Sequence, residues 1–376
     1  MRILLIGNYA PDKQESMLRF AALMERELTA RGHAVSLMQP RHVLAGSRST
    51  GGGLGKWLGY IDKFVLFPFD LKRALRNFDV VHICDHSNSM YARYLAAKPN
   101  VVTCHDVLAI KSALGEVPEN VVSSTGKRLQ QMILTGLRMA QYIVCDSEAS
   151  REDMLRVTGR PAASSEVVYL SLSFPYTPTP RPEAIARLAA LGYDAGEPFF
   201  VHVGADAWYK NRLGLLQIFD CVQKALAPAQ PKLLLIGGAI EPQLQQHIRQ
   251  AGLEDRVTRL TGLSNEDLQA AYSLAEALIY PSLQEGFGWP VIEAQSCGCP
   301  VFATGRKPMT ELGGDAAIYF DPADPTAAAA LIAHALQDRD AIRSRGLQNV
   351  QRFTVANLID GYVQAYERVI SSSKYN

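Results

Sequence analysis

Residues 281–298 read PSLQEGFGWPVIEAQSCG, which sets Glu285 and Glu293 eight positions apart around a glycine-bearing turn. The apolar run 277–280 ahead of it reads as a strand. Gly286 and Gly288 open backbone conformations closed to residues with a Cβ, and Pro290 suits the first turn of a helix. A strand, a turn and a helix in that order aim unpaired backbone N–H groups and the positive end of a helix dipole at whatever lies in front. An anion such as a diphosphate suits that place. Glu285 is expected on the turn and Glu293 in the first coils of the helix. As ionised carboxylates they accept hydrogen bonds and grip vicinal hydroxyls, so the implied ligand carries phosphates and sugar hydroxyls together.

Working outward, β-rich runs at 2–6, 34–38, 80–84, 101–104, 142–145 and 166–169 alternate with helical patterns, the mark of parallel βαβ units. Pro175, Pro178, Pro180 and Pro182 then fall within eight residues, a density that central strands and helix interiors do not tolerate. A second alternating series follows at 199–203, 232–236, 256–260, 277–280, 301–303 and 318–320. The expected organisation is a first domain over 1–172, a linker over 173–197 and a second domain over 198–354. In open α/β sheets ligands bind outside the carboxyl ends of the strands, so the loops after these runs are expected to line a cleft between two facing halves.

These motifs together resemble the retaining glycosyltransferases of family four. The Glu-x7-Glu block is the specific part. Weaker likenesses in series are Pro11, the run RGHAV at 31–35, FDVVH at 78–82, His105 with Asp106, Asp146 with Ser147, Val203 and Gly204 followed by Lys210 and Asn211, and GCPV at 298–301. The resemblance implies the α/β GT-B fold of two facing Rossmann-like domains, with the helical pattern at 355–376 crossing back onto the first. It implies catalytic roles for Glu285, His105 and Lys210, with His105 near the sixth hydroxyl of the transferred sugar. Donor binding falls to Glu293, Gly286, Phe287, Gly288, Lys210, Asn211 and Gly204. No cofactor and no metal are implied, since the nucleotide-diphosphate sugar is itself a substrate. The acceptor is expected to be a glycan, a lipid-linked species or a small-molecule hydroxyl.

Two departures from the family pattern stand out. An arginine common soon after the glycine of the 199–203 strand is replaced by Ala205-Asp206-Ala207, which leaves Arg212 as a candidate for the second cation. The first loop carries Glu15-Ser16 where many relatives have two glycines, so Asp12, Gln14, Ser16 and Arg19, with Asp106, are the acceptor-side candidates. Ser16 equally suits a helix cap. The changes keep two other readings open, a nucleotide-sugar epimerase of the same fold and a non-catalytic sugar-nucleotide-binding subunit.

Composition fits a two-domain enzyme. The chain has 376 residues, more than one hydrophobic core usually supports, and its formal charge of +1 argues against a nucleic-acid binder. No apolar run is long enough to span a bilayer, and the first apolar run ends at Gly7 and Asn8, too early for a signal peptide. A cytoplasmic location is expected. Cys84, Cys104, Cys145 and Cys221 read as small buried hydrophobes. Cys297 and Cys299 lack the spacing and the second pair of a zinc site.

Three remaining patterns need placing. The run 51–56, GGGLGK, lacks the first glycine and terminal Ser/Thr of a phosphate-binding loop and reads as a flexible loop. Asp338-Arg339-Asp340 reads as a helix start rather than a metal motif. Leu54, Trp57, Leu58, Ile61, Phe64 and Val65 recur at helical spacing, and residues 41–76 contain seven Lys/Arg against two Asp. Such a stripe ordinarily packs on its own domain. The alternative is a peripheral contact of residues 54–67 with the inner membrane face.

Overall fold

Twelve strands form two six-stranded sheets, parallel throughout, in a computed structural model that describes residues 1–44, 53–204 and 206–373, with backbone alone at 53–56. The first sheet comprises β1 (Arg2–Ile6), β2 (Ala34–Met38), β3 (Val80–Ile83), β4 (Asn100–Cys104), β5 (Tyr142–Cys145) and β6 (Ser165–Val167), in the order β2-β1-β3-β4-β5-β6. The second comprises β7 (Phe199–Gly204), β8 (Lys232–Gly237), β9 (Val257–Leu260), β10 (Ala277–Tyr280), β11 (Val301–Thr304) and β12 (Ile318–Phe320), in the order β12-β11-β10-β7-β8-β9. Each strand lies within two residues of its expected position. β3, β4, β5, β10 and β11 are buried at every position, which matches central strands covered by helices on both faces.

In both sheets the chain starts in the middle and winds outward twice, so the order reverses once, between β1 and β3 and between β7 and β10. Ligands of doubly wound sheets collect at such reversals because the loops there diverge and leave a crevice. The chain divides into two compact units, 1–170 with 355–376, and 171–354.

The helix Val355–Ser372 belongs to the first unit and buries Leu358, Ile359, Tyr362, Ala365, Tyr366 and Val369, the stripe of an amphipathic helix. Its tyrosines end in a polar chain under the sheet. The Tyr362 hydroxyl meets Thr103 Oγ1 at 2.7 Å, Thr103 Oγ1 meets His82 Nε2 at 2.7 Å, and the Tyr366 hydroxyl meets His82 Nδ1 at 2.8 Å. Burial pushes the His82 imidazole down to about 3. A neutral ring offers one donor and one acceptor, which two hydroxyl partners satisfy.

Two loop readings change. The helix Arg181–Ala190 occupies the middle of the stretch read as linker, with Pro182 in its first turn, where a missing N–H costs nothing. The glycine run read as a loop lies outside the described residues at 51–52, and from Gly53 it is part of the helix Gly53–Ile61. The apolar spacing beyond it carries the helix back over those glycines.

Candidate active site

At the reversal of the second sheet, the loops after β7 and β10 bring their side chains together. Lys210 ends a short 3-10 turn at 208–210. Its ammonium donates to Glu285 Oε1 at 2.8 Å and to the Tyr280 hydroxyl at 2.7 Å, and that hydroxyl donates in turn to Glu285 Oε1 at 2.7 Å. Tyr280 is fully buried as the last residue of β10. Two of the three donors of the ammonium are used in this triangle, which leaves one for an anion. The loops are sewn together by Leu283 N donating to Tyr209 O at 2.7 Å and Asn211 Nδ2 donating to Pro281 O at 3.3 Å.

Asn211 adopts a left-handed conformation at φ 51°, and its Oδ1 accepts from Gly214 N to cap the helix Arg212–Ala225. Asparagine tolerates that region because its short amide bonds locally. At Gly204 an added Cβ would stand 3.1 Å from Lys210 Cδ, so glycine there makes room for the lysine stem. Gly288, at φ 107°, turns the chain into the helix Trp289–Ser296, to which no side chain caps the start. Gly286 lies in the bend between Glu285 and this helix. Phe287 is buried, its ring 6.0 Å from Trp289 and 6.1 Å from Phe353. That side chain fixes the turn to its own unit.

Glu293 sits in the second turn of the helix, where it accepts from the Tyr272 hydroxyl at 3.1 Å. Burial raises its carboxyl to about 7, against the opposing pull of the Tyr272 bond and the Lys210 charge. If the ionised form grips donor hydroxyls, binding below that value must first remove a proton. The affinity for a nucleotide sugar, whose phosphates stay ionised, is then expected to rise as pH increases from about 6 to about 8 and flatten above. Glu293→Ala is expected to weaken the donor about 10- to 100-fold, since a charge-assisted hydrogen bond is worth roughly 1.5–3 kcal/mol. Calorimetric titration across pH tests both, and a pH-independent affinity that Glu293→Ala leaves unchanged removes the assignment.

Arg212 does not face outward as a second cation. Its guanidinium is buried and donates to Gly204 O at 2.7 Å and Ala239 O at 2.8 Å, clasping the ends of β7 and β8. Burial lowers its pKa. His202 is likewise structural, with Nδ1 3.0 Å from Ile279 O and the ring pushed down to about 3 by burial. Asp338 and Asp340 are exposed at the start of the helix Arg339–Asn349.

The first unit has its own buried polar cluster at its reversal, between β1 and β3. Asn8 follows β1, and Asp85 lies just beyond β3. Asn8 Nδ2 donates to carboxylate oxygen of Asp85 and amide oxygen of Gln14, and Asn8 Oδ1 accepts from Asn88 at 3.1 Å. Despite burial, the neighbouring His86 and His105 imidazoles and the bonds from Ser87 and Asn8 hold the Asp85 carboxyl below the usual range.

His105, after β4, donates from Nδ1 to Asp146 Oδ2 at 2.6 Å and lies with Nε2 3.0 Å from Cys84 O. Two acceptors require two donors, and only the imidazolium has both. Burial disfavours that charge, but the Asp146 carboxylate, the Asp85 charge and the Cys84 carbonyl outweigh it and raise the pKa to about 9. With both ring nitrogens engaged, His105 favours the imidazolium, while burial also raises the carboxyl of its partner Asp146.

Among the other acceptor-side candidates, Asp12 pairs with Lys63 at 2.8 Å and Gln14 is bound by Asn8. Asp106 Oδ1 accepts from Leu108 N at 2.8 Å at the start of the helix Leu108–Ala113. Ser16 and Arg19 are exposed on the helix Glu15–Ala30, whose start no side chain caps. Sequence reasoning missed Tyr280, Tyr272, Asn8 and Asp85. Tyr280 closes the run that reads as a strand, and its place at the carboxyl end of that strand beside the reversal is the available signal; Asn8 and Asp85 follow the two strands that flank the other reversal.

Comparison with known proteins places both halves. Residues 18–171 match the family described as Glycosyltransferase Family 4, and residues 187–351 match Glycosyl transferases group 1. The chain is 29% identical over 272 residues to the O-antigen chain mannosyltransferase B of Escherichia coli, covering 71% of this chain and 70% of that one. It is 27% identical over 301 residues to a D-inositol 3-phosphate glycosyltransferase of Mycolicibacterium vanbaalenii, covering 74% of this chain but 63% of the relative. Among solved structures, sucrose-phosphate synthase from Thermosynechococcus elongatus superposes with a TM-score of 0.73 at 22% identity over 99% of this chain and 100% of the other. HepE of Anabaena, solved with UDP and glucose, does so with a TM-score of 0.70 at 21% identity over 98% and 99%. Each half thus matches a glycosyltransferase family model, and with the two-sheet fold they indicate a GT-B glycosyltransferase of the family-four-like type.

Proposed function

We propose that the protein is a retaining, metal-independent hexosyltransferase that moves a sugar from a UDP- or GDP-hexose to a hydroxyl of a glycan, a lipid-linked acceptor or a small molecule. The observation that carries this reading is the Lys210 ammonium held between Tyr280 and Glu285 at the reversal of the second sheet. As the bond from the anomeric carbon to the phosphate oxygen breaks, negative charge grows on the diphosphate. The remaining Lys210 N–H and the open start of the helix Trp289–Ser296 stabilise it without reorganising. Glu285 holds donor hydroxyls and favours the positive charge gathering at the anomeric carbon, while ionised Glu293 binds the ribose diol. The acceptor hydroxyl attacks from the face the diphosphate leaves, and a departing phosphate oxygen takes its proton. Configuration is thereby kept, and no separate base is required.

The names of the relatives set the first donors to try, GDP-mannose and UDP-glucose. Incubation of the purified protein with each, with and without acceptor, followed by proton NMR, is expected to show a first-formed sugar with the configuration of the donor, unchanged by chelator. An inverted product overturns retention. Activity lost in EDTA and restored by a divalent ion overturns the metal-free scheme.

A further inference from the structure

A surface helix of a globular domain ordinarily buries its apolar residues and exposes its charges. The continuous helical stretch from Gly53 to Ala74 does otherwise. Between 57 and 69 the exposed side chains are Trp57, Ile61, Val65, Leu66 and Phe69, every one of them large and apolar, with Trp57 at 65% and Phe69 at 70% exposure. Four of the five recur at every fourth residue, so they form one row. Its opposite face is the packed one, with Phe67 and Leu71 in the core of the first unit and Phe64 against it. A contiguous exposed apolar row of this kind marks an interaction surface.

The charges around the row are one-sided. Of the two acids between 41 and 76, Asp62 is fully buried and Asp70 is bound by Arg41 at 2.5 Å. Lys72, Arg73 and Arg76 are exposed beyond Phe69, and Arg73 continues the same spacing of four. Apolar side chains flanked by unopposed positive charge match the acyl boundary and headgroups of an anionic bilayer. Among the described residues no helix is long and apolar enough to cross a membrane, so the fit is to the interface.

The inner face of the same helix holds the first loop. The Tyr9 hydroxyl donates to Asp62 Oδ2 at 3.0 Å, and Lys63 donates to Asp12 at 2.8 Å with its ammonium 5.3 Å from the Tyr9 ring. Leu44 N also donates to Asp62 at 3.1 Å, and the Tyr91 hydroxyl to Lys63 O at 3.0 Å. The first loop thus lies about one helix diameter, roughly 10 Å, from the exposed row.

We infer that the Trp57–Phe69 row is a docking face for an anionic lipid surface, and that it presents the first loop to an acceptor hydroxyl carried at that surface. The acceptor part rests on the transferase reading above. The docking part is tested without donor or acceptor, so vesicle binding without transfer, or transfer without vesicle binding, tells the failure of one from the failure of the other. Co-sedimentation with phosphatidylcholine vesicles, and with vesicles also containing phosphatidylglycerol, is compared at low and high salt for the wild type and for the double variant Trp57→Glu, Phe69→Glu. Both positions are exposed, so a thermal melt should show the variant folded. Wild-type protein is expected to bind the anionic vesicles at least about tenfold more strongly than the neutral ones, to lose this advantage in high salt, and to lose it in the variant. Quenching by lipids brominated along the acyl chain is expected in the wild type and reduced in Trp57→Phe. Equal binding to both vesicles, binding indifferent to the double substitution, or a wild-type dimer in sedimentation velocity that the substitution turns into a monomer overturns the inference.

Discussion

Lys210→Ala is expected to lower kcat by about 10²–10³, the scale of removing one preorganised stabiliser of transition-state charge. The lysine stem lies against Gly204, and its ammonium is bound twice, to Tyr280 and Glu285, so it needs no reorganisation when negative charge develops nearby. Tyr280→Phe keeps the ring and removes the hydroxyl's bonds to both Lys210 and Glu285, for which an expected loss of about 10- to 100-fold corresponds to a hydrogen bond to a charged group. Because Lys210→Ala also leaves Glu285 without its counter-charge, a thermal melt must accompany the kinetics. A folded Lys210→Ala protein with wild-type kcat would remove the lysine from the reaction.

Glu285→Gln is expected to reduce transfer by about 10³ or more while the Kd for the free nucleoside diphosphate stays within about threefold, the pattern of a residue that acts on the sugar and its reacting carbon and not on the nucleotide. The amide keeps the size of the side chain and one acceptor oxygen toward Lys210 and Tyr280. Only the charge is lost. Steady-state rates with the donor, set beside calorimetric titration of UDP or GDP, separate the two effects. If nucleotide binding and turnover fall together, Glu285 acts in binding and not on the reacting carbon.

The course of the strands was readable because parallel strands covered on both faces leave continuous apolar runs, as in ALIY at 277–280 or YIVC at 142–145. The turn with Glu285 was readable because glycine and proline report backbone geometry directly. Tyr280 shows where such reading stops. Its residue type fits strand core and a hydroxyl ligand equally, and only the pairing of β10 with β7 in the sheet shows that its hydroxyl meets Lys210, seventy positions away in the chain. Arg212 teaches the same lesson in reverse. A cation near a phosphate-binding loop is a reasonable candidate by position, yet its guanidinium is turned onto the carbonyls of Gly204 and Ala239.

By itself the sequence determined the alternating α/β organisation, the order of the strands along the chain and the turn that holds the two glutamates, because these rest on periodicity and on backbone preferences of residues close together in the chain. The tertiary structure decided which groups share a proton or a charge. Asp146 and the Cys84 carbonyl raise the pKa of His105, burial beside Tyr272 raises Glu293 to about 7, and the packing of Phe64, Phe67 and Leu71 leaves the row from Trp57 to Phe69 outward. Each depends on desolvation and on partners far away in the chain, quantities that no local pattern of residues encodes.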